Sequence, residues 1–416
     1  MKLRNIFGNN CNKKNKKMLR SIQIKEIYFY SVCCIAFFIP LFPKLLPFLI
    51  GLSAVIFIST TNLKSLVGKL FSLKIPFLFI GFYLFYLIGL LYSENLKYGW
   101  NDVGTKVSLL IFPVILTDSR IYSENKIRII FNSFIAGSFA VCVLLLARSG
   151  YLYFTGNENA FFYETFSYYF HPSYLSLYFS FAIAILFFQI LANNKTVYIR
   201  NIILMLLFTG MILLLSSKTG IISIVLICIL YFLIIVIRKR KIKYYISFLL
   251  VGGILYFAVK NFNSRINNAA KILVESKFDV ASTESTAARV NIWNVSLDII
   301  KENLLLGVGT GDVKDELFKF YQQQKMTGPL QNKLNAHNQF LQTFIALGVM
   351  GFLLLILSLI IPGFYSLSNK DWIYSMFLAL ITLNLLTESM LERQNGVIFY
   401  AFFNSLLFYT SENKIK

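Results

Sequence analysis

Long apolar runs alternate with short polar segments along most of the chain. A membrane-spanning helix needs roughly 20 mostly apolar residues, and runs approaching that length recur about twelve times in this sequence. The pattern predicts an all-α fold, a polytopic membrane helix bundle of about twelve spans. The predicted spans cover 27–42, 45–58, 75–92, 107–116, 129–146, 172–191, 202–215, 221–237, 244–259, 339–362, 372–386 and 397–409.

One polar segment is far longer than the others. Residues 261–338 separate the ninth predicted span from the tenth, and they include Ile292, Val295 and Ile299 at helical spacing. We therefore expect one large extracytoplasmic helical loop and no other soluble domain. The predicted parts are a basic cytoplasmic tail (1–26), spans one to nine (27–260), the loop (261–338), spans ten to twelve (339–410) and a cytoplasmic tail (411–416).

Composition and charge support the membrane interpretation. The chain is 57% apolar and only 14% charged, whereas soluble domains are typically about 25% charged. A net charge of +21 would indicate nucleic-acid binding in a soluble protein. Here the basic residues concentrate in alternate segments, most clearly in Arg238–Lys241, as the positive-inside rule requires. Both termini are thus predicted to be cytoplasmic, with membrane lipids and not nucleic acid as partners.

His337 lies where the long loop meets the tenth predicted span, and it is one of only two histidines. Asn335 can serve as the helix N-cap, which would place His337 in the first turn. The positive end of the helix dipole would then keep the imidazole neutral, and a neutral imidazole can accept a proton. A polar interfacial residue that only marks the helix end is an equally acceptable interpretation.

Arg289 and Trp293 lie four residues apart in the helical part of the loop, and so share a face. A guanidinium group forms paired hydrogen bonds to phosphate oxygens, and an indole stacks on the CH face of a sugar. The alternative is an amphipathic helix on the membrane surface, with Trp293 as an interfacial anchor.

Other polar residues collect on the predicted outer side. Lys218 lies in a tight turn between two spans, where a charge is a candidate site or a lysine extending to the interface. His171 begins the sixth span, and Glu388, Glu392 and Arg393 between the last two spans favour a structural ion cluster over catalysis. No metal-ligand spacing occurs, so no metal or other cofactor is expected.

Two glycine patterns need a separate interpretation. Gly307–Gly311 follows a helix and lacks the Lys-Ser/Thr pair of a phosphate-binding loop, so it predicts a helix-ending turn and not a nucleotide site. Gly348 and Gly351 are expected to let helices approach closely.

Several short stretches, taken together, resemble the O-antigen ligase and O-antigen polymerase superfamily of lipid-linked glycan transferases. They are Ala288–Trp293 (ARVNIW), Leu306–Gly309 (LGVG), His337–Leu341 (HNQFL) and the turn Leu214–Gly220 (LLSSKTG). Gly348 and Gly351 follow the histidine segment, and the large loop before a histidine-bearing helix also fits.

The resemblance implies a multi-pass glycosyltransferase of the bacterial inner membrane, with its active site facing the periplasm. It would transfer a glycan from an undecaprenyl diphosphate carrier to the hydroxyl of a glycolipid or glycan acceptor, without a metal and with inversion. His337, Arg289 and Lys218 are the implied catalytic residues, although the family often has arginine where this chain has Lys218. The expected substrate-binding residues are Trp293, Asn338, His171, Arg265 and Arg393.

Two alternatives stay open. A polymerase of the same superfamily would join the glycan to another carrier-linked repeat. A polysaccharide transporter or flippase belongs to another class, but transporters usually show repeated halves and broken mid-membrane helices, and no such repeat is visible in this sequence.

Overall fold

The computed structural model describes residues 26–61, 74–192, 198–237 and 285–415, with a few isolated positions between them. Within these ranges every regular element is helical. In chain order the α-helices are α1 Glu26–Phe38, α2 Leu46–Thr60, α3 Lys74–Gly89, α4 Leu96–Lys106, α5 Ser108–Ile115, α6 Glu124–Phe154, α7 Tyr163–Ser167, α8 Pro172–Leu191, α9 Tyr198–Leu214, α10 Lys218–Ile237, α11 Ser285–Glu302, α12 Val313–Gln323, α13 Thr327–Gln331, α14 Gln339–Ser368, α15 Trp372–Thr387 and α16 Gln394–Ile415.

Six helical segments in the described residues are long and apolar enough to cross a bilayer, which makes the chain a multi-pass membrane protein. They are Pro43–Thr60, Ile75–Tyr92, Glu124–Phe154, Pro172–Leu191, Lys218–Ile237 and Gln339–Ser368. The shorter helices α1, α9 and α15 are also apolar.

The predicted count of about twelve spans is not reached in the described ranges. The fourth predicted span, 107–116, is the short helix α5, which begins directly after the polar helix α4 and contains Pro113. Nearly all of the ninth predicted span, 244–259, lies outside the described residues. Hydropathy alone cannot distinguish a short buried helix from a spanning one when both are apolar all round.

The centre of the bundle is formed by α8 and α16. In the apolar window of α8, 89% of the residues are buried, against 22% in the segment Pro43–Thr60 at the edge. Phe181 of α8 packs on Phe399 and Phe403 of α16, with ring centroids 5.8 and 4.8 Å away. Helices that are apolar on every face are the ones that can be surrounded completely by other helices. Helices α8 and α16 therefore form the core against which the neighbouring helices pack.

The helical part of the long polar segment packs on the bundle. Ile292, Val295 and Ile299 of α11 are fully buried, and α11 contacts α12 and α14. The predicted apolar stripe is thus a protein-facing stripe, and it fixes the orientation of α11 relative to the start of α14.

Helix α14 is broken at Gly348, which has a φ of +62° and a ψ of −160°. A Cβ atom at Gly348 would lie 2.2 Å from the carbonyl oxygen of Leu305, so only glycine fits. The expectation that Gly348 and Gly351 serve close helix–helix contacts is wrong in detail. The backbone that approaches Gly348 belongs to the connection after α11, and a Cβ at Gly351 would meet Leu347 of its own helix.

The glycine-containing connection after α11 fills the break in α14. The backbone N–H groups of Val308 and Gly309 donate to the carbonyl oxygens of Ile345 and Ala346, at 2.8 and 3.0 Å. A helix break exposes backbone acceptors that cannot remain unpaired within a membrane protein. Residues 307–311 are therefore more than a helix-ending turn, because they satisfy the acceptors of another helix.

Candidate functional site

A cavity of about 680 Å³ opens at one end of the bundle. The polar segments before α8, before α14 and after α15 meet at this end. The pattern of basic residues predicts that these segments are extracytoplasmic. Polar residues on its wall include Tyr98, Asn101, Asp102, Thr105, Glu164, His171, Lys314, Asn335, His337, Glu388, Glu392 and Arg393.

Glu388 connects the two residues that the sequence singles out most strongly. It is the C-cap of α15, where its backbone leaves the helix. Its Oε1 atom accepts from Arg289 Nη2 at 2.5 Å, and its Oε2 atom lies 3.1 Å from His337 Nδ1. The Glu388 side chain is 8% exposed, whereas Arg289 and His337 are 24% and 20% exposed. One buried carboxylate therefore holds two partly accessible groups from distant parts of the chain.

The charge on Glu388 fixes the state of the His337 ring. Burial acts to raise the pKa of the Glu388 carboxyl, but the hydrogen bond to His337 and the charge of Arg289 outweigh it and lower the pKa to about 2. An ionised carboxylate can only accept hydrogen bonds. Nδ1 of His337 must then carry the hydrogen, and in the neutral ring Nε2 is the basic nitrogen.

The predicted N-cap of α14, Asn335, is wrong by three residues. The N-cap is Asn338, whose side-chain oxygen accepts from the N–H groups of Phe340 and Leu341. His337 precedes the helix with a φ of +43°, and Asn335 accepts from the His337 N–H at 3.1 Å. The imidazole is therefore not held in a first helical turn, and its orientation comes from Glu388.

Trp293 and Asn338 both have contacts within the protein. The indole N–H of Trp293 donates to the carbonyl oxygen of Ala336 at 3.1 Å, which connects α11 to the residue before His337. The Asn338 side chain caps α14, and its backbone N–H donates to Ser389 Oγ at 3.2 Å. These contacts hold α11, the residues before α14 and the turn after α15 together.

His171 lines the same cavity and is the N-cap of α8. Its Nδ1 atom accepts from the Ser173 N–H at 3.4 Å, and Ser173 Oγ lies 3.4 Å from Glu388 Oε1. The ring is open to the cavity yet has protein atoms around it, and this loss of water lowers the pKa of His171. Both histidines of the chain thus lie beside Glu388.

The remaining candidate residues have different placements. Lys218 is the first residue of α10 and is half-buried. Its turn packs on α8, since a Cβ at Gly220 would lie 2.6 Å from Ser176 Cβ. Arg393 is exposed on the cavity wall. Arg265 lies outside the described residues.

A second charged cluster was not anticipated from the sequence. Lys106 is completely buried, and its Nζ atom lies 2.5 Å from Asp102 Oδ1 and 3.1 Å from Glu392 Oε1. It also lies 4.4 Å from the centre of the Tyr86 ring. The i,i+4 spacing of Asp102 and Lys106 was the available signal, but such pairs are usually solvent-exposed.

The predicted ion cluster of Glu388, Glu392 and Arg393 is therefore rearranged. Each carboxylate pairs with a cation from another helix, Arg289 for Glu388 and Lys106 for Glu392. In the part of the chain that the structure describes, no three His, Cys, Asp or Glu side chains are grouped as a metal ion would require.

Comparison with known proteins agrees with the resemblance noted from the sequence. A family model described as O-antigen ligase matches residues 203–356, which contain Lys218, Arg289 and His337 but neither α4 nor the turn 388–393. A Haemophilus influenzae protein described as uncharacterized is 30% identical to this chain over 105 residues. That alignment spans 25% of this chain and 26% of the relative.

Proposed function

Because the chain belongs to the O-antigen ligase family through residues 203–356, we propose that it is a glycosyltransferase that uses a lipid-linked glycan donor. The donor is a glycan on undecaprenyl diphosphate, and the acceptor is a sugar hydroxyl of a lipid A–core or similar glycolipid. The protein lies in the bacterial inner membrane with both termini cytoplasmic, and the cavity faces the periplasm. The reaction needs no metal and inverts the anomeric carbon.

The observation that carries this proposal is the bridging position of Glu388. It holds the His337 imidazole, which lines the cavity, together with the partly exposed guanidinium group of Arg289. A transfer from a diphosphate carrier needs a base for the incoming hydroxyl and positive charge for the departing phosphate. His337 and Arg289 supply these two requirements from one anchored pair.

In the proposed reaction, Nε2 of His337 takes the proton from the acceptor hydroxyl. The acceptor oxygen forms a bond to the anomeric carbon of the donor while the bond from that carbon to the phosphate oxygen breaks. The undecaprenyl diphosphate leaves with the bonding electron pair. Arg289 and Lys218 stabilise the negative charge on the diphosphate, which is the electrostatic role that a metal ion has in other transferases.

Glu388 orients the base in this scheme and does not itself exchange a proton. Its pKa of about 2 keeps it ionised at neutral pH, so it stabilises the imidazolium that forms when His337 accepts the proton. His171, with Nδ1 already accepting a hydrogen bond, presents a ring N–H to the cavity as a donor to the substrate.

The direct test is His337→Ala in membranes that contain the native donor and acceptor lipids. We expect glycan transfer to fall by about 10²- to 10⁴-fold, the usual contribution of a general base, while the protein accumulates normally. Lys301→Gln is a matched control, because Lys301 is 75% exposed on α11. Near-normal transfer by His337→Ala would remove the base assignment.

The product distinguishes the variants of this function. A ligase joins the glycan to the glycolipid acceptor, whereas a polymerase lengthens the carrier-linked chain, so gel patterns of the product separate them. Liposomes that contain purified protein and a labelled lipid-linked glycan test for a transporter. Movement of the label across the bilayer without any new glycosidic bond would contradict the proposal.

A further inference from the structure

The α4 face of the cavity carries polar residues that the proposed reaction does not use. Tyr98, Asn101, Asp102 and Thr105 occur at successive spacings of three, one and three residues, which places them on one side of a helix. All four line the cavity. We call this set the α4 stripe.

The α4 stripe includes a buried carboxyl that charge balance does not require. Lys106 is fully buried and needs one carboxylate partner, yet both Asp102 and Glu392 contact its Nζ atom. Burial raises the pKa of Asp102, and the nearby charge of Glu392 raises it further against the opposing effect of Lys106. A surplus buried carboxyl on a cavity wall is costly for folding and indicates a functional role.

The residue types in the stripe match the surface of a sugar ring. A pyranose offers hydroxyl groups at its edge, which bind carboxyl, amide and hydroxyl side chains. It also offers an apolar CH face, which packs on an aromatic ring such as that of Tyr98. Lys314 of α12 also lines the cavity, and its Nζ atom lies 5.7 Å from the centre of the Tyr98 ring. Polar groups from two helices, α4 and α12, therefore line this part of the cavity.

The stripe is connected to the catalytic histidine by one short path. Glu392 Oε1 accepts from Gln339 Nε2 at 3.3 Å, and Gln339 Oε1 accepts from the Leu391 N–H at 2.7 Å. Gln339 is two residues after His337, and Leu391 is in the turn that carries Glu388. A ligand on the α4 stripe would thus be held at a fixed distance from the site of transfer.

We propose that Tyr98, Asn101, Asp102 and Thr105, together with Glu392, form a sugar-binding subsite. It holds one pyranose unit of a substrate glycan next to the unit that reacts at His337. Asp102 and Glu392 bind its hydroxyl groups, and Tyr98 contacts its CH face. This inference rests on the proposed glycan transfer, and it adds recognition residues that lie outside the matched family segment.

The test compares Asp102→Asn with the wild type in a transfer assay that varies donor and acceptor separately, using lipids extracted from the source cells. Asn keeps the size of Asp, and the Lys106–Glu392 pair remains charge-balanced, so we expect the variant to fold. We expect KM for one glycan substrate to rise about 10- to 100-fold, the effect of leaving a buried sugar hydroxyl without its hydrogen-bond partner. The value of kcat should change by less than about threefold.

Lys97→Gln is the matched control, since Lys97 is exposed on the same helix and is not on the cavity wall. Tyr98→Leu is a second variant, and it should raise KM for the same substrate as Asp102→Asn. If the wild type transfers glycan and neither variant changes a KM, the subsite is wrong and the glycosyltransferase proposal stands.

A direct binding measurement separates the two proposals in the other direction. Saturation-transfer NMR with wild-type protein in nanodiscs would use the free saccharide released from the acceptor by mild acid. Suppose that the wild type binds the saccharide but transfers no glycan, and that Asp102→Asn binds the saccharide more weakly. This outcome would support the subsite and reject the proposed reaction. No binding by the wild type, together with unchanged KM values, would overturn the subsite.

Discussion

The Arg289–Glu388–His337 cluster and the Asp102–Lys106–Glu392 cluster meet the same cavity, and their glutamates lie in one turn after α15. In the first cluster one carboxylate serves two nitrogen-bearing groups that are 20% or more exposed. In the second, two carboxylates share one ammonium group that is fully buried. Accessible partners can exchange a protein contact for a substrate contact, whereas a buried ammonium cannot. The first cluster is thus suited to chemistry and the second to holding structure and ligand in place.

The largest effect should come from breaking the buried cluster. Lys106→Met leaves two carboxyl groups without a cation, and removal of one partner from a buried ion pair costs about 3–5 kcal/mol. We expect little protein to accumulate in membranes, measured by fluorescence-detected size exclusion. The triple variant Lys106→Met, Asp102→Asn, Glu392→Gln removes all three charges and should recover most of the protein. Normal accumulation of Lys106→Met alone would show that the cluster contributes little to stability.

A smaller effect, on activity alone, is expected from Glu388→Gln. The amide keeps the shape of the side chain but no longer fixes the hydrogen on Nδ1 of His337 or stabilises its cationic form. We expect transfer to fall about 10²-fold, with an unchanged elution profile. The matched change in the other cluster, Glu392→Gln, should alter transfer less than Glu388→Gln does. If Glu392→Gln lowered transfer more than Glu388→Gln does, Glu388 would not be the residue that orients the base.

The smallest effect is a difference in pH dependence between the clusters. The folded pKa of Glu388 is lowered from about 4.5 to about 2, so its contribution to stability is complete above pH 4.5 and is lost as the pH falls toward 2. The folded pKa of Asp102 is raised from 3.8, so its folded state loses stability as the pH rises above that value. In thermal unfolding, the Tm of Glu388→Gln should therefore approach that of the wild type at low pH. The Tm of Asp102→Asn should rise relative to that of the wild type as the pH increases toward neutral. If the Tm of both variants changed with pH in parallel with that of the wild type, the opposite pKa shifts of Glu388 and Asp102 would be wrong.

Sequence reasoning predicted a multi-pass membrane protein and singled out Arg289 and His337, but it did not predict the residue that connects them. Arg289 and His337 could be assigned to one side of the membrane because hydropathy and basic residues define the sides. Glu388 lies 51 residues after His337 and 99 after Arg289, and no periodicity relates such positions. Its role as the common partner depends on where tertiary packing places the end of α15 relative to Arg289 and His337.

The errors have equally specific causes. Asn335 and Asn338 are both good N-cap residues. The helix begins after Asn338 because His337 has a positive φ, and the sequence does not indicate this backbone conformation. Asp102 and Lys106 look like an ordinary surface pair on an amphipathic helix. Their burial follows from the position of α4 against the turn that carries Glu392.

The break at Gly348 limits how the protein can open for its substrates. Three backbone hydrogen bonds join the connection after α11 to α14, from Val308 to Ile345, from Gly309 to Ala346 and from Val349 to Leu304. These bonds fix the C-terminal end of α11 to the middle of α14, whereas Arg289 lies near the other end of α11 and is held there by Glu388. The cavity walls formed by α4 and by α7 with the residues before α8 have no such backbone hydrogen bonds to α14 among the residues described.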